Sequence, residues 1–293
     1  MKWQDMRKSD NVEDVRGGGR GSRVPRGAMA GGIGLGGILL ALIGSLIFGM
    51  NPADVLSTVS GGSSAAPADS GPAQGVPITD EDNQFVSKIL GDTEDVWTAL
   101  FKKQLGQQYQ PPKLVLFSDA TRSACGAAQQ QMGPFYCPND QKVYLDMGFF
   151  SQIRATAGDK AEFARAYAIA HEVGHHIQNL IGIMDKVQAQ RQQVDEATSN
   201  GLSVRLELQA DCFAGVWGHY SASRKLIDRQ DLELALNTAS QIGDDYLQKQ
   251  ARGRASSPET WTHGSSQQRM QWFTIGLKSG DMNQCNTFNT QNP

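Results

Sequence analysis

Two histidines flank a glutamate in His171-Glu172-Val173-Gly174-His175, the stretch of this 293-residue sequence best equipped for chemistry. On an α-helix, positions i and i+4 share a face, so both imidazoles reach one metal ion. The glutamate between them projects beside that metal, where it can take a proton from bound water. In a chain with only five histidines, chance rarely supplies such a pattern. The local sequence also favours a helix, because Phe163, Tyr167, Ala170, Gly174 and Ile177 recur at helical spacing and form an apolar stripe. Gly174 lowers helix propensity by on the order of 1 kcal/mol relative to alanine, which predicts a close-packing reason for it.

Zn²⁺, one per chain, is the expected ion, and it needs a third protein ligand with a fourth position open. A metzincin would place a histidine six residues beyond His175, but Ile181 stands there. The next candidates lie in SVRLELQADCFAGVWGHY, where Glu207 and Asp211 stand four apart on a predicted helix. One carboxylate could bind the metal while the other orients a ligand imidazole. A solvated helix face would look similar. However, Leu206, Leu208, Ala210, Cys212 and Phe213 make much of this helix apolar, and buried carboxylates need partners.

The elements that must position these groups alternate in type. Residues 80–104, 159–181, 202–220, 229–249 and 265–278 read as helices. Residues 114–119 read as a strand, and 133–146 as a hairpin turning at Pro138-Asn139-Asp140. Helices around a small sheet make an α+β domain over 79–293.

Ahead of that domain, residues 1–26 are polar and glycine-rich and read as a disordered tail. Residues 27–50 carry no charge and are long enough to cross a bilayer as one helix. Residues 51–78 have the Gly, Ser, Pro and Ala content of a flexible linker. Basic residues precede the apolar run and none follows it closely, so the expected topology is single-pass, with a cytoplasmic N-terminus and a periplasmic or extracellular domain. The expected partners are the lipid bilayer and a peptide or protein substrate. The acidic remainder of the chain argues against nucleic acid.

Cys125, Cys137, Cys212 and Cys285 lack the close pairing of a structural zinc site. Four cysteines permit three disulfide connectivities. An outward-facing domain suits two bridges, and the pairing Cys125–Cys137 with Cys212–Cys285 would brace the hairpin and tie the C-terminal region to the second motif helix.

HEVGHHIQ followed by SVRLELQADCFAGVW resembles the putative neutral zinc metallopeptidase family of bacterial, membrane-anchored proteins. The likeness extends to SDNVEDVRG, GPFYCPNDQKVYLD and THGSSQQRMQWF, and so covers nearly the whole chain. It implies a zincin-like peptidase. More distantly, E-x-x-A-D resembles that of gluzincin membrane proteases, which implies Glu207 as third ligand and Asp211 as its support. Those enzymes carry a Thr-His-Pro segment followed by an arginine. Thr262-His263-Gly264 and Arg269 resemble it with glycine in place of proline, which implies His263 as a catalytic hydrogen-bond donor. His176 points about 100° away from His175 around the helix and reads as a packed histidine, as does His219. Two other classes share these residues: a zinc hydrolase of non-peptide bonds, and a non-catalytic, membrane-tethered zinc-binding protein.

Overall fold

In the computed structural model, the described residues are 1–16, 80–129, 133–148, 150, 151, 154, 160–241, 243–246 and 257–289. The predicted membrane helix 27–50 and linker 51–78 lie outside them. Among the described residues, no helix is long and apolar enough to cross a membrane.

The chain is α+β. Its helices are α1 (Asp80–Leu100), α2 (Lys160–Leu180), α3 (Ile183–Arg191), α4 (Glu196–Ser223), α5 (Arg229–Gln241) and α6 (Ser266–Ser279). Its strands are β1 (Val12–Asp14), β2 (Lys113–Phe117), β3 (Ala120–Ser123), β4 (Gly126–Gln129), β5 (Phe135–Cys137) and β6 (Lys142–Asp146). Four of them form a mixed sheet in the order β1-β2-β6-β5, with β1, β2 and β6 parallel and β5 antiparallel to β6. The other two make a separate antiparallel hairpin.

Local chemistry fixes the helix ends. The Asp195 side chain accepts from the Thr198 N–H at the start of α4, satisfying one of the N–H groups a helix start leaves unpaired. Ser265 and Gln268 close a reciprocal capping box at the start of α6. The apolar stripe around the motif is buried in α2, with Phe163, Tyr167, Ala170 and Ile177 all inside the core. Trp97 of α1 meets Phe213 of α4 edge to face at 5.5 Å, joining the first helix to the pair that carries the motifs.

The N-terminal region differs from expectation. Residues 1–16 are not a disordered tail but an arm laid on the domain. Val12, Glu13 and Asp14 pair in parallel with Leu114, Val115 and Leu116. Trp3 and Met6 are buried, and the Trp3 ring packs edge-on against Phe85 at 5.5 Å. Trp3 Nε1 donates to Glu162 Oε1 at 3.1 Å, and the terminal amine lies 3.0 Å from Asp231 Oδ1. Arg7, Ser9 and Asn11 all donate to the buried Glu94 carboxylate. Composition underestimates such an arm because few of its residues are apolar, yet Trp3, Arg7, Ser9 and Asn11 each meet a partner more than 80 positions away.

Candidate metal centre

Helices α2 and α4 approach closely at Gly174 and Ala210. A Cβ on Gly174 would lie 2.9 Å from the Ala210 carbonyl oxygen and 3.1 Å from its Cα. This is the packing reason that the glycine predicted, and it brings both motifs face to face.

Ligand atoms of His171, His175 and Glu207 all lie within 4.8 Å of one another, and all three residues are buried. His171 Nε2 is 3.2 Å from Glu207 Oε2, and His175 Nε2 is 3.6 Å from Glu207 Oε1. The opposite ring nitrogens are occupied. His171 Nδ1 meets Asp211 Oδ1 at 2.9 Å, and His175 Nδ1 meets Gln178 Oε1 at 2.9 Å. Both acceptors call for an N–H at Nδ1, which leaves the Nε2 lone pairs converging on a carboxylate. His175 Nε2, buried, has no hydrogen-bond partner. Two imidazole nitrogens and one carboxylate oxygen form a donor set that fits Zn²⁺, and a cation would satisfy the orphaned nitrogen.

Partners behind the ligands hold the geometry. Asp211 accepts from Arg269 Nε at 2.7 Å and Nη2 at 2.8 Å, and from the Tyr167 hydroxyl. Burial alone would raise the Asp211 pKa, but Arg269 and His171 hold it below the usual carboxylate range. The same contest keeps Glu207 ionised: burial opposes the charge, while His175, His171 and His263 outweigh it. Burial disfavours a charged His171, yet Asp211 and Glu207 raise its pKa. Gln178 donates onward to the Leu206 carbonyl at 2.7 Å and to Gln209 Oε1 at 3.2 Å, and Gln209 donates to the Cys285 carbonyl at 2.8 Å.

Glu172 is fully buried, and neither carboxylate oxygen has a hydrogen-bond partner. The Tyr136 backbone N–H lies nearby without completing a bond. Burial pushes the Glu172 carboxyl up to about 8, with the charge of His175 pulling the other way.

His263 is also buried, in the loop before α6. The N–H groups of Thr262, His263 and Gly264 all donate to Asp244 Oδ2, at 2.8, 2.7 and 3.1 Å. Its Nδ1 lies 3.3 Å from Asp244 Oδ1 and 3.0 Å from Thr262 Oγ1. A Cβ on the adjacent Gly264 would lie 3.2 Å from the side chains of Val204 and Leu208, so the loop rests on the stretch of α4 that carries Glu207. Gly264 has φ +89°, a conformation closed to proline, so glycine is required where the gluzincin pattern has proline.

His176 turns away from the cluster, its Nε2 meeting the Gln110 carbonyl at 2.7 Å and its Nδ1 meeting the Tyr136 hydroxyl at 3.1 Å. His219 Nδ1 bonds the Leu277 carbonyl at 2.9 Å. Cys125 is bonded to Cys137, tying the β3–β4 hairpin to β5, and Cys212 is bonded to Cys285, tying α4 to the C-terminal 3-10 turn Met282–Cys285. Gln178 and Asp244 were not anticipated. Gln178 stands three residues after His175, a spacing that could have pointed to it, whereas nothing local marks Asp244.

The family described as "Putative neutral zinc metallopeptidase" matches residues 1–288. The chain belongs to this family. The match begins at the first residue, so the docked arm lies within the family's own extent. A relative from Escherichia coli, "Uncharacterized protein YpfJ", is 46% identical over 295 residues, covering 98% of this chain and 99% of its own length. "Uncharacterized protein Rv2575" of Mycobacterium tuberculosis is 41% identical over 217 residues, covering 70% of this chain and 72% of its own. No solved structure matches the chain.

Proposed function

We propose that this member of the family is a zinc-dependent metallopeptidase of zincin-like architecture, acting on peptide bonds in a peptide or protein substrate. The observation that carries the reading is Glu172, a buried carboxylate with no hydrogen-bond partner beside a three-ligand cluster. A purely structural zinc site has no use for such a group, and leaving it unpaired costs stability.

Held by His171, His175 and Glu207, zinc supplies Lewis acidity toward a carbonyl and lowers the pKa of water. Glu172 accepts the proton of the attacking water on a carboxylate oxygen and returns it to the leaving amine. Its affinity for a proton, raised by burial, suits that exchange. His263, held by Asp244 and Thr262, donates a hydrogen bond to the charge developing on the carbonyl oxygen. Asp211 and Gln178 keep the two ligand imidazoles in the tautomer that presents Nε2.

The test is zinc content together with cleavage of a peptide library and of matched esters, on the full chain and on Glu172→Gln. One zinc per chain in both proteins, with peptide cleavage only in the parent, is the expected outcome. Ester cleavage without peptide cleavage would move the assignment to a non-peptide hydrolase. Zinc without turnover in either protein would point to a binding role.

A further inference from the structure

A strand cannot pair with a sheet from the far side of a membrane. The arm enters the sheet as β1, beside β2, and is fixed to α1 through Arg7, Ser9 and Asn11 on Glu94. Trp3 reaches α2, the helix that carries the metal ligands, through Glu162. The 63 residues 17–79 separate this arm from the start of α1 and contain the apolar run 27–50. One crossing by that run would put the arm and the domain on opposite sides. It would also leave Trp3 and Met6 without their packing, β2 as a bare edge and the buried Glu94 without three donors.

We propose that the N-terminal arm and the catalytic domain share one side of the membrane, in place of the single crossing expected from the apolar run. The two ends of the intervening segment support this reading. Arg16, paired with Asp14 at the end of the arm, also feels the carboxylate of Asp80, the first residue of α1. Arg16 and Asp80, which flank that segment, thus lie within electrostatic reach of each other. A return crossing would need a second apolar stretch of about 20 residues, and residues 51–79 contain none.

Cysteine labelling decides the matter on the full chain, since all four native cysteines are bonded and give no background. Val15→Cys and Asp10→Cys place a thiol at exposed positions of the arm, and Val194→Cys places one at an exposed position of the domain. Each variant is treated with a membrane-impermeant maleimide in intact spheroplasts and again after lysis. The arm and domain sites are expected to behave alike. Both label before lysis if the compartment is the oxidising one that the two disulfides suit, and protection of both until lysis bears out the shared side equally. Arm sites protected until lysis while Val194→Cys labels at once, or the reverse, would restore the single crossing and overturn the proposal.

Discussion

Replacing Asp211 by asparagine keeps the shape of the side chain and removes its charge at the point where the metal ligands meet their support. In the parent, Asp211 binds His171 Nδ1 at 2.9 Å and takes two bonds from the fully buried Arg269. An asparagine offers one acceptor oxygen and turns the other position into a donor facing a guanidinium. The buried arginine loses its counter-charge, which costs about 3–5 kcal/mol. Loss of the His171 partner should weaken zinc binding about 10–100-fold, since outer partners of ligand histidines contribute on that scale. Gln178→Met separates the two effects. It removes the His175 Nδ1 acceptor without touching a charge, so zinc binding should weaken comparably while stability falls by only about 1–3 kcal/mol. Zinc affinity can be read by competition with a chromophoric chelator, and stability by denaturant unfolding with and without EDTA. If Asp211→Asn binds zinc within twofold of the parent while its stability collapses, the carboxylate serves Arg269 alone and the argument about His171 fails.

The raised pKa of Glu172 gives a pH signature in the metal-free protein. The unfolded carboxyl ionises near 4.5 and the folded one near 8, so the folded state binds the extra proton and stability falls as pH rises across that window. Glu172→Gln should lack that slope and be more stable than the parent at pH 7 by on the order of 2–3 kcal/mol, measured as melting temperature against pH in EDTA. Gly174→Ala should lower stability by about 1–3 kcal/mol in spite of alanine's helix propensity, because its Cβ meets Ala210 backbone atoms that cannot swing aside; chemical denaturation of the two proteins measures it. Removing the Cys212–Cys285 bridge, which spans 73 residues, should cost about 4 kcal/mol, against about 3 kcal/mol for Cys125–Cys137, which spans 12; paired serine variants compared by melting temperature test the order.

The sequence displayed those parts of the site whose signal is short-range. His171, Glu172 and His175 are spaced by the pitch of one helix, and Glu207 and Asp211 by the pitch of another. Gly174 announced a close contact without naming Ala210 as the other side of it. What stayed hidden depends on distant partners. The arm is legible only to a reader who knows that Val12 lies against Leu114. The β3–β4 hairpin escaped because Ala120–Gln129 has little of the β-branched alternation that marks strands, while Asp140 and the bond from Cys125 to Cys137 hold it from outside. Asp244 serves His263 across 19 positions, a separation no periodicity encodes.

The contact between Gly174 and Ala210 also has a mechanical side. It falls immediately before His175 on one helix and between Glu207 and Asp211 on the other, so the two helices bear on each other where their functional groups emerge. When two rods rock about a bearing, displacement grows with distance from the fulcrum and vanishes at it. A rocking of α2 against α4 about this contact would displace the start of α2, where Glu162 holds Trp3 of the arm, more than the turns beside it. The separations among His171, His175 and Glu207, all within about one turn of that contact, are therefore the ones that such a rocking changes least.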